Sequence, residues 1–224
     1  MATATAPLQG TSWFRPKYLL FGFIGLMLAY VLNHNESFLI HSDNPIWQHY
    51  HIVGWYLLPH GIAGACALLL APMQFSDRLR QRYTKLHRVV GRIYVGGVLF
   101  AAPLGIVVQY LNESRGDPRS FSVAAAVQAS SWILTTAIAM TFILRGRVEQ
   151  HRRWMTRSFA VALVFLEVRV VGGLTGWEQL GTPAIETIVW VCNVFTLLAA
   201  DIALQVQESF RARPARSAAI AAGD

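Results

Sequence analysis

Two short polar clusters hold the residues of this chain that are best suited to chemistry. The first runs from Leu86 to Tyr94 and contains His87, and the second runs from His151 to Ser158. Each cluster joins a titratable imidazole to fixed guanidinium charges at the start of a long apolar segment. Two histidines can ligate a metal or a haem iron, and arginines can hold an anionic group such as a haem propionate or a lipid phosphate. The same pattern is also typical of a topology signal at a membrane surface.

Helical spacing places His87, Gly91 and Tyr94 on one face of the segment that follows. A glycine one turn above a histidine leaves room for a flat macrocycle, because a larger side chain would strike the ring. His87 and His151 are therefore candidate ligands of a haem iron or another metal, although both lie at the very ends of their predicted helices. The other candidate cofactor-binding residues are Arg88, Arg92, Tyr94, Arg152 and Arg153.

The composition identifies the chain as a membrane protein. Apolar residues make up 54% of it and charged residues 14%, against roughly 25% charged residues in ordinary soluble domains. Segments of about 20 apolar residues can cross a hydrocarbon core of roughly 30 Å as helices, and nothing here alternates like a barrel strand. The predicted spans are 18–33, 52–74, 89–111, 121–144, 158–176 and 184–206, of which the first is the shortest.

Basic residues are distributed unevenly between the predicted loops. Of the 19 Lys and Arg residues, 16 lie at the amino terminus, in segments 75–92 and 145–157, or after the last span. This asymmetry follows the positive-inside rule and predicts that both termini are cytoplasmic. It also accounts for the net charge of +7 without nucleic acid as a partner.

The fold prediction is an all-α polytopic membrane protein, a bundle of six transmembrane helices that occupies residues 1–210. The segment 211–224 is rich in Ala and Arg and is predicted to be a disordered cytoplasmic tail. Arginine outnumbers lysine 17 to 2, which favours a GC-rich bacterial source and therefore a bacterial inner membrane.

Small residues recur at helical spacing on two spans. Gly97, Ala101 and Gly105 form one row, and Gly61 with Ala65 forms another. Such rows let helix backbones approach closely in lipid, where apolar burial alone gives no drive to associate. They would also leave room for a flat ligand.

Four histidines lie in or beside the first outer loop, at positions 34, 41, 49 and 51. They could bind a metal, but their spacing matches no established ligand pattern. The interpretation that we favour is interfacial histidines beside an aromatic belt.

A polar layer is predicted deep within the membrane. Counting about 1.5 Å per residue, its members lie at similar depths, and they are His60, Gln128, Glu167, Arg169 and Asn193. Charged residues this deep cost roughly 2.5–3.5 kcal/mol each on insertion scales, so they normally face the bundle interior and pair. The layer is either a hydrogen-bond network that fixes the packing or a ligand pocket or proton route. In the second case His60, Glu167 and Arg169 are the candidate catalytic residues.

Helical spacing limits which residues can pair with the buried charges. Glu167 and Arg169 are two residues apart and point to different sides of their helix, so each is expected to find a partner elsewhere. For Arg169 that partner is a group across the bundle or a ligand, and we expect it to be the most function-sensitive residue in the spans. Asp201 lies near the cytoplasmic surface, where His87, His151 or an arginine could pair with it.

Several of these residues carry a family resemblance. They are His60, Gln74, Leu86-His87-Arg88, Gly91-Arg92, Tyr94, His151-Arg152-Arg153-Trp154-Met155-Thr156-Arg157-Ser158 and Arg169. Over roughly residues 50–175 the chain resembles a family of bacterial predicted membrane proteins that is known only as a domain of unknown function. The resemblance implies a helical bundle of undetermined activity. At the level of fold alone, the layout of histidines also looks like that of b-type membrane cytochromes.

Three functions fit these observations. The leading hypothesis is a membrane protein that binds haem b, a quinone or a similar flat anionic ligand and serves in electron transfer. The second is a transporter or intramembrane enzyme for a small or lipid-like substrate, and the third is a structural subunit of a larger membrane complex. The lipid bilayer is the expected partner in each case, together with anionic lipid or other membrane subunits. Motifs of known hydrolases and nucleotide-binding proteins are absent from the sequence.

Overall fold

The computed structural model describes residues 16–34 and 53–221, with side chains described over residues 18–34 and 53–210. This part of the chain forms helices and one 3₁₀ turn at Trp177–Leu180, and it contains no strand. The helices are α1 (Pro16–His34), α2 (Gly54–Gln74), α3 (Asp77–Arg82), α4 (Thr84–Glu113), α5 (Arg119–Leu144), α6 (Val148–Thr175) and α7 (Thr182–Ala221). The predicted all-α fold is confirmed.

Five of the described helices are long and apolar enough to cross a membrane, namely α2, α4, α5, α6 and the part of α7 up to Phe210. The first helix, α1, is shorter, with 19 residues, which corresponds to about 28 Å of rise. The described residues therefore provide five candidate spans, at the positions of the last five of the six predicted spans. Helix α7 continues through Ala221, into the segment 211–224.

Short connections make consecutive helices neighbours in space. Helix α2 packs along α4, α4 along α5, α5 along α6, and α6 along α7, while α1 lies against α6. The connections 75–83 and 145–147 lie at the same end of the bundle, which we call the basic end because it holds both His-Arg clusters. Ser76 caps α3 at this end by accepting a hydrogen bond from the backbone N–H of Leu79 at 3.3 Å, as is typical of an N-cap serine.

Helix α6 is the centre of the bundle, and half of its most apolar stretch is buried. Two apolar clusters meet on it. One joins α6 to α1, α2 and α4 around Val31, Val98 and Leu166. The other joins α6 to α5 and α7 around Val164 and Ile188. Side chains of α6 are consequently positioned by neighbours on all of the other described spanning helices.

Close packing between α2 and α4 depends on Gly97. A Cβ atom at this position would lie 2.7 Å from the carbonyl oxygen of Ala63 and 3.2 Å from the Cβ of Ala67, so only glycine fits. The predicted row of Gly97 and Ala101 on α4 is therefore confirmed as a packing surface. The matching prediction for α2 is wrong, because Gly61 and Ala65 are exposed and the helix uses the adjacent face. Lipid and protein interior are equally apolar, so spacing alone does not say which small residues face a neighbour.

Candidate functional site

His87 and His151 come together at the basic end of the bundle. Each lies in the first turn of its helix, α4 for His87 and α6 for His151. They are close enough for the charge of a protonated His151 to act on His87, as the charges of Arg80 and Arg88 also do. The two helices run in the same direction, so their positive N-terminal dipole ends meet at this point.

Two buried polar atoms at this point have no hydrogen-bond partner among the described residues. One is Nδ1 of His87, and the other is Nε2 of Gln74, the last residue of α2. The Gln74 side chain lies over Gly91, where its Oε1 would be 3.4 Å from a Cβ atom. We call Gln74, His87, Gly91 and His151 the histidine site. A glutamine Nε2 can only donate, so the site contains at least one donor that needs an acceptor.

The tautomer of His151 follows from its contact with α5. Its Nδ1 lies 2.8 Å from the backbone carbonyl oxygen of Ala139, and a carbonyl oxygen only accepts, so Nδ1 donates. In the neutral ring Nε2 is then an acceptor or a potential metal ligand.

The predicted cofactor-binding arginines differ in their surroundings. Arg88, Arg92 and Arg152 are exposed at the basic end. Arg153 forms ion pairs with Glu149, at 3.2 Å, and with Glu208 of α7. Arg80 was not among the residues predicted from the sequence. It pairs with Asp77 on α3, and its charge acts on His87.

Tyr94 belongs to a different structure, a closed ring of hydrogen bonds between α4, α5 and α6. Its hydroxyl lies 2.7 Å from Oγ of Ser158 and receives the indole N–H of Trp132 at 3.2 Å. Ser158 lies 2.7 Å from Oγ1 of Thr136, which donates to the carbonyl oxygen of Trp132 at 2.7 Å. Because the single hydroxyl hydrogen of Thr136 goes to this carbonyl, Thr136 must accept from Ser158. Ser158 then has no hydrogen left for Tyr94, so Tyr94 donates to Ser158. Tyr94, predicted as a cofactor-binding residue, has its hydroxyl fully engaged in this ring.

The partner of Asp201 is Arg157. The guanidinium Nε donates to the carboxylate at 2.7 Å and Nη2 lies 2.6 Å away. The same guanidinium lies 4.8 Å from the ring centroid of Trp154, a cation–π geometry. Of the partners considered from the sequence, an arginine is therefore the one that binds Asp201.

The predicted polar layer divides into two parts. His60 lies between α2 and α4, where its Nδ1 donates to the carbonyl oxygen of Ala101 at 2.8 Å. Its imidazole ring fills the space beside Gly105, where an added Cβ atom would lie 2.9 Å from Cε1 of His60. A Cβ atom added at Gly64, one turn after His60, would lie 3.9 Å from the Cβ atom of Ala101. Gly64 therefore also lies in the contact between α2 and α4.

The other part of the layer lies around α6 and α7. The hydroxyl of Thr196 donates to the carboxylate of Glu167, and the Arg169 guanidinium lies 5.3 Å from the ring centroid of Phe165 on its own helix. Asn193 is buried on α7, and Gln128 is half-buried on α5. The described hydrogen bonds thus join His60 to α4 and Glu167 to α7.

The histidines of the outer loop are only partly described. His34 pairs with Glu178 at 2.8 Å and stacks on Tyr30 with ring centroids 5.1 Å apart. His41, His49 and His51 lie outside the described residues. Within residues 16–34 and 53–221, no group of three or more His, Cys, Asp or Glu residues could hold a metal ion.

The fold and the described spans define a polytopic helical membrane protein. Its sequence matches the model of a family of predicted membrane proteins, DUF2306, over residues 57–204. This match covers more than half of the chain, which therefore belongs to that family of unknown function, as the resemblance predicted. No curated protein and no solved structure matches the sequence.

Proposed function

We propose that this membrane protein binds a flat ligand with carbonyl or anionic oxygen atoms at the histidine site, and that it serves in membrane electron transfer. The ligand that we favour is the head group of a quinone. The observation that carries the proposal is the pair of buried atoms without partners, Nε2 of Gln74 and Nδ1 of His87.

A buried donor without an acceptor costs about 1–3 kcal/mol, so such groups usually have a partner that completes them. A quinone presents two carbonyl oxygens in one plane, and each accepts an N–H. Gln74 and His87 come from different helices, and the Gln74 side chain fills the space over Gly91, one turn after His87. A quinone ring would lie beside the Gln74 amide rather than in its place. The quinone carbonyls would supply the missing acceptors.

Electrostatics at the basic end favour the same class of ligand. The N-terminal ends of α4 and α6 point their positive dipole ends toward the site. Arg80 and Arg88 add fixed positive charge around His87. A one-electron reduced quinone carries negative charge on its oxygens, so this surrounding would stabilise it relative to the neutral form.

Haem b is the second candidate, and a separate observation supports it. The hydrogen bond from Nδ1 of His151 to the Ala139 carbonyl leaves Nε2 free, which is the usual arrangement of a metal-ligating histidine. Against it, Gln74 fills the space over Gly91, and a macrocycle would have to displace that side chain. His87 and His151 would be its ligands, with Arg88, Arg92, Arg152 or Arg153 near the propionates.

The purified protein can distinguish the two ligands. We expect organic extracts of detergent-purified protein to contain quinone, and the visible spectrum to lack a Soret band. Gln74→Leu and His87→Leu should each weaken quinone binding roughly tenfold, the effect of losing one hydrogen bond worth about 1.4 kcal/mol, and the quinone content should fall by up to the same factor. Thr141→Val is the matched control, because Thr141 is exposed on α5 and bonds only to its own helix, at the Ala137 carbonyl.

A Soret band that disappears in His87→Leu would instead assign haem. Protein that contains neither quinone nor haem, in membranes that supply both, would contradict the proposal and leave water as the partner of Gln74 and His87.

The membrane arrangement that we propose has six spans, with α1 as the sixth, and places both termini in the cytoplasm of a bacterial cell. The distribution of basic residues supports it, and the basic end is then cytoplasmic, where anionic lipids can bind the exposed arginines. A reporter fusion after residue 216 tests the arrangement. Cytoplasmic reporter activity is expected, and an alkaline phosphatase that is active at this position would contradict it.

A further inference from the structure

A carboxylate within the membrane-spanning part of α6 has its partner on α7. Glu167 lies about two turns from the nearer end of its helix, and the hydroxyl of Thr196 donates to it. The thiol of Cys192, one turn before Thr196, is close enough for the charge of Glu167 to act on it. A hydroxyl group is neutral, so this hydrogen bond does not compensate a negative charge on the carboxylate.

Asn193 adds a second and independent observation at the same place. It is only 6% exposed, and neither Oδ1 nor Nδ2 of its amide has a hydrogen-bond partner within the described part of the chain. Asn193 precedes Thr196 by three residues, so the two side chains lie on one face of α7. That face is the one that meets Glu167. An amide buried in hydrocarbon without any partner is costly, which indicates that something occupies the space beside it.

We infer that Glu167, Asn193 and Thr196 form a binding site for a small monovalent cation, a proton or Na⁺. The ligand atoms would be a Glu167 carboxylate oxygen, Oδ1 of Asn193 and Oγ1 of Thr196. Oxygen atoms of these three kinds are what hard cations prefer. The site is separate from the histidine site and does not depend on the proposed quinone function.

The charge balance favours a monovalent ion. The site holds one carboxylate, so one positive charge makes it neutral, whereas a divalent ion would leave an excess charge in hydrocarbon. Few ionisable groups of the described helices α5, α6 and α7 surround it. On its own helix Arg169 is two residues away and points to another side, and Cys192 faces it from α7. Helix α5, which packs with α6 and α7 in the second apolar cluster, has no ionisable residue between positions 120 and 144. Membrane carriers that use protons or Na⁺ keep comparable sites near the middle of the bilayer.

Labelling by dicyclohexylcarbodiimide tests this inference, since the reagent enters membranes and reacts with protonated carboxyl groups. Purified protein in detergent is labelled between about pH 5.5 and 9, in NaCl or in choline chloride, and the modified peptide is identified by mass spectrometry. We expect Glu167 to be labelled and Glu113, at the end of α4, to remain unlabelled. Protection by NaCl at constant pH would assign Na⁺, and labelling that changes only with pH would assign a proton.

Variants connect the result to the proposed ligands. Asn193→Leu should move the protecting Na⁺ concentration, or the pH midpoint of labelling, by about tenfold or about one pH unit, as expected for losing one ligand worth about 1.4 kcal/mol. Thr196→Val should do the same, and it replaces Asn193→Leu if that variant does not fold. Labelling of Glu167 that is absent under all conditions, or independent of both pH and Na⁺, would overturn the inference, as would unchanged midpoints in the folded variants.

Discussion

Single residues in this bundle differ in whether their polar atoms are satisfied. Tyr94 is completely buried. In the closed ring of hydrogen bonds that joins it to Ser158, Thr136 and Trp132, every bond has a defined donor and acceptor. Gln74 and His87 are the opposite case, since each has a buried nitrogen without a partner among the described residues. A closed ring has no proton to give to a ligand, so we expect it to contribute to stability, and ligand binding is proposed for the histidine site alone.

The ring of hydrogen bonds around Tyr94 is predicted to stabilise the folded protein. Tyr94→Phe would leave the Trp132 N–H without an acceptor and the Ser158 hydroxyl without its donor. We expect a loss of about 1–2 kcal/mol in the free energy of unfolding, or a fall in Tm of roughly 2–8 °C. Thermal denaturation in detergent measures it, with Tyr110→Phe as the control because Tyr110 is 66% exposed on the same helix. Equal melting temperatures for the two variants would show that the ring is not stabilising.

The sequence predicted residue types and depths better than residue partners. The meeting of His87 with His151 was expected from their positions at the starts of parallel spans. Gln74 was not recognised as part of that site, although a polar residue at the end of an apolar span was the available signal. Depth alone put His60 level with Glu167, but depth says nothing about the direction in which a side chain leaves its helix, and the two lie between different helix pairs. The special sensitivity expected of Arg169 stays a prediction.

At the scale of elements, the contact between α2 and α4 depends on a glycine that faces backbone. Gly97→Ala would bring a Cβ atom to 2.7 Å from the Ala63 carbonyl oxygen, so the helices would have to separate. We expect a destabilisation of about 1–3 kcal/mol, the usual cost of overpacking. A Cβ atom added at the neighbouring Gly96 would meet no atom within 4 Å, so Gly96→Ala should be neutral or slightly stabilising.

The same melting experiment compares the two glycine variants. A Gly97→Ala protein that is as stable as Gly96→Ala would contradict the close approach of α2 and α4. This contact also positions the histidine site, because Gln74 ends α2 and His87 begins α4. Quinone content is therefore expected to fall in Gly97→Ala and to stay unchanged in Gly96→Ala.

For the whole molecule, composition and loop charge were enough to predict a helical membrane bundle, because hydrocarbon permits few other folds. They were not enough to show that α6 is its centre. Every span is apolar on most sides, so the sequence pattern does not distinguish a face toward lipid from a face toward another helix. Gly61 and Ala65 are an example, since their spacing suits helix packing and yet both are exposed.

The central claim is that the histidine site binds a quinone, and the most direct measurement is the Tm of the purified, delipidated protein with added short-chain quinone. At a concentration of about 100 times Kd, binding adds about 2.7 kcal/mol to the free energy of unfolding, so we predict a rise of several degrees for the wild type and Thr141→Val. With a roughly tenfold higher Kd, Gln74→Leu should gain only about 1.4 kcal/mol at the same concentration, about half the wild-type rise. Its Tm without ligand should be equal to or above that of the wild type, because a buried unpaired donor has been removed. A wild-type Tm that does not respond to quinone, or an equal rise in Gln74→Leu, would contradict the account.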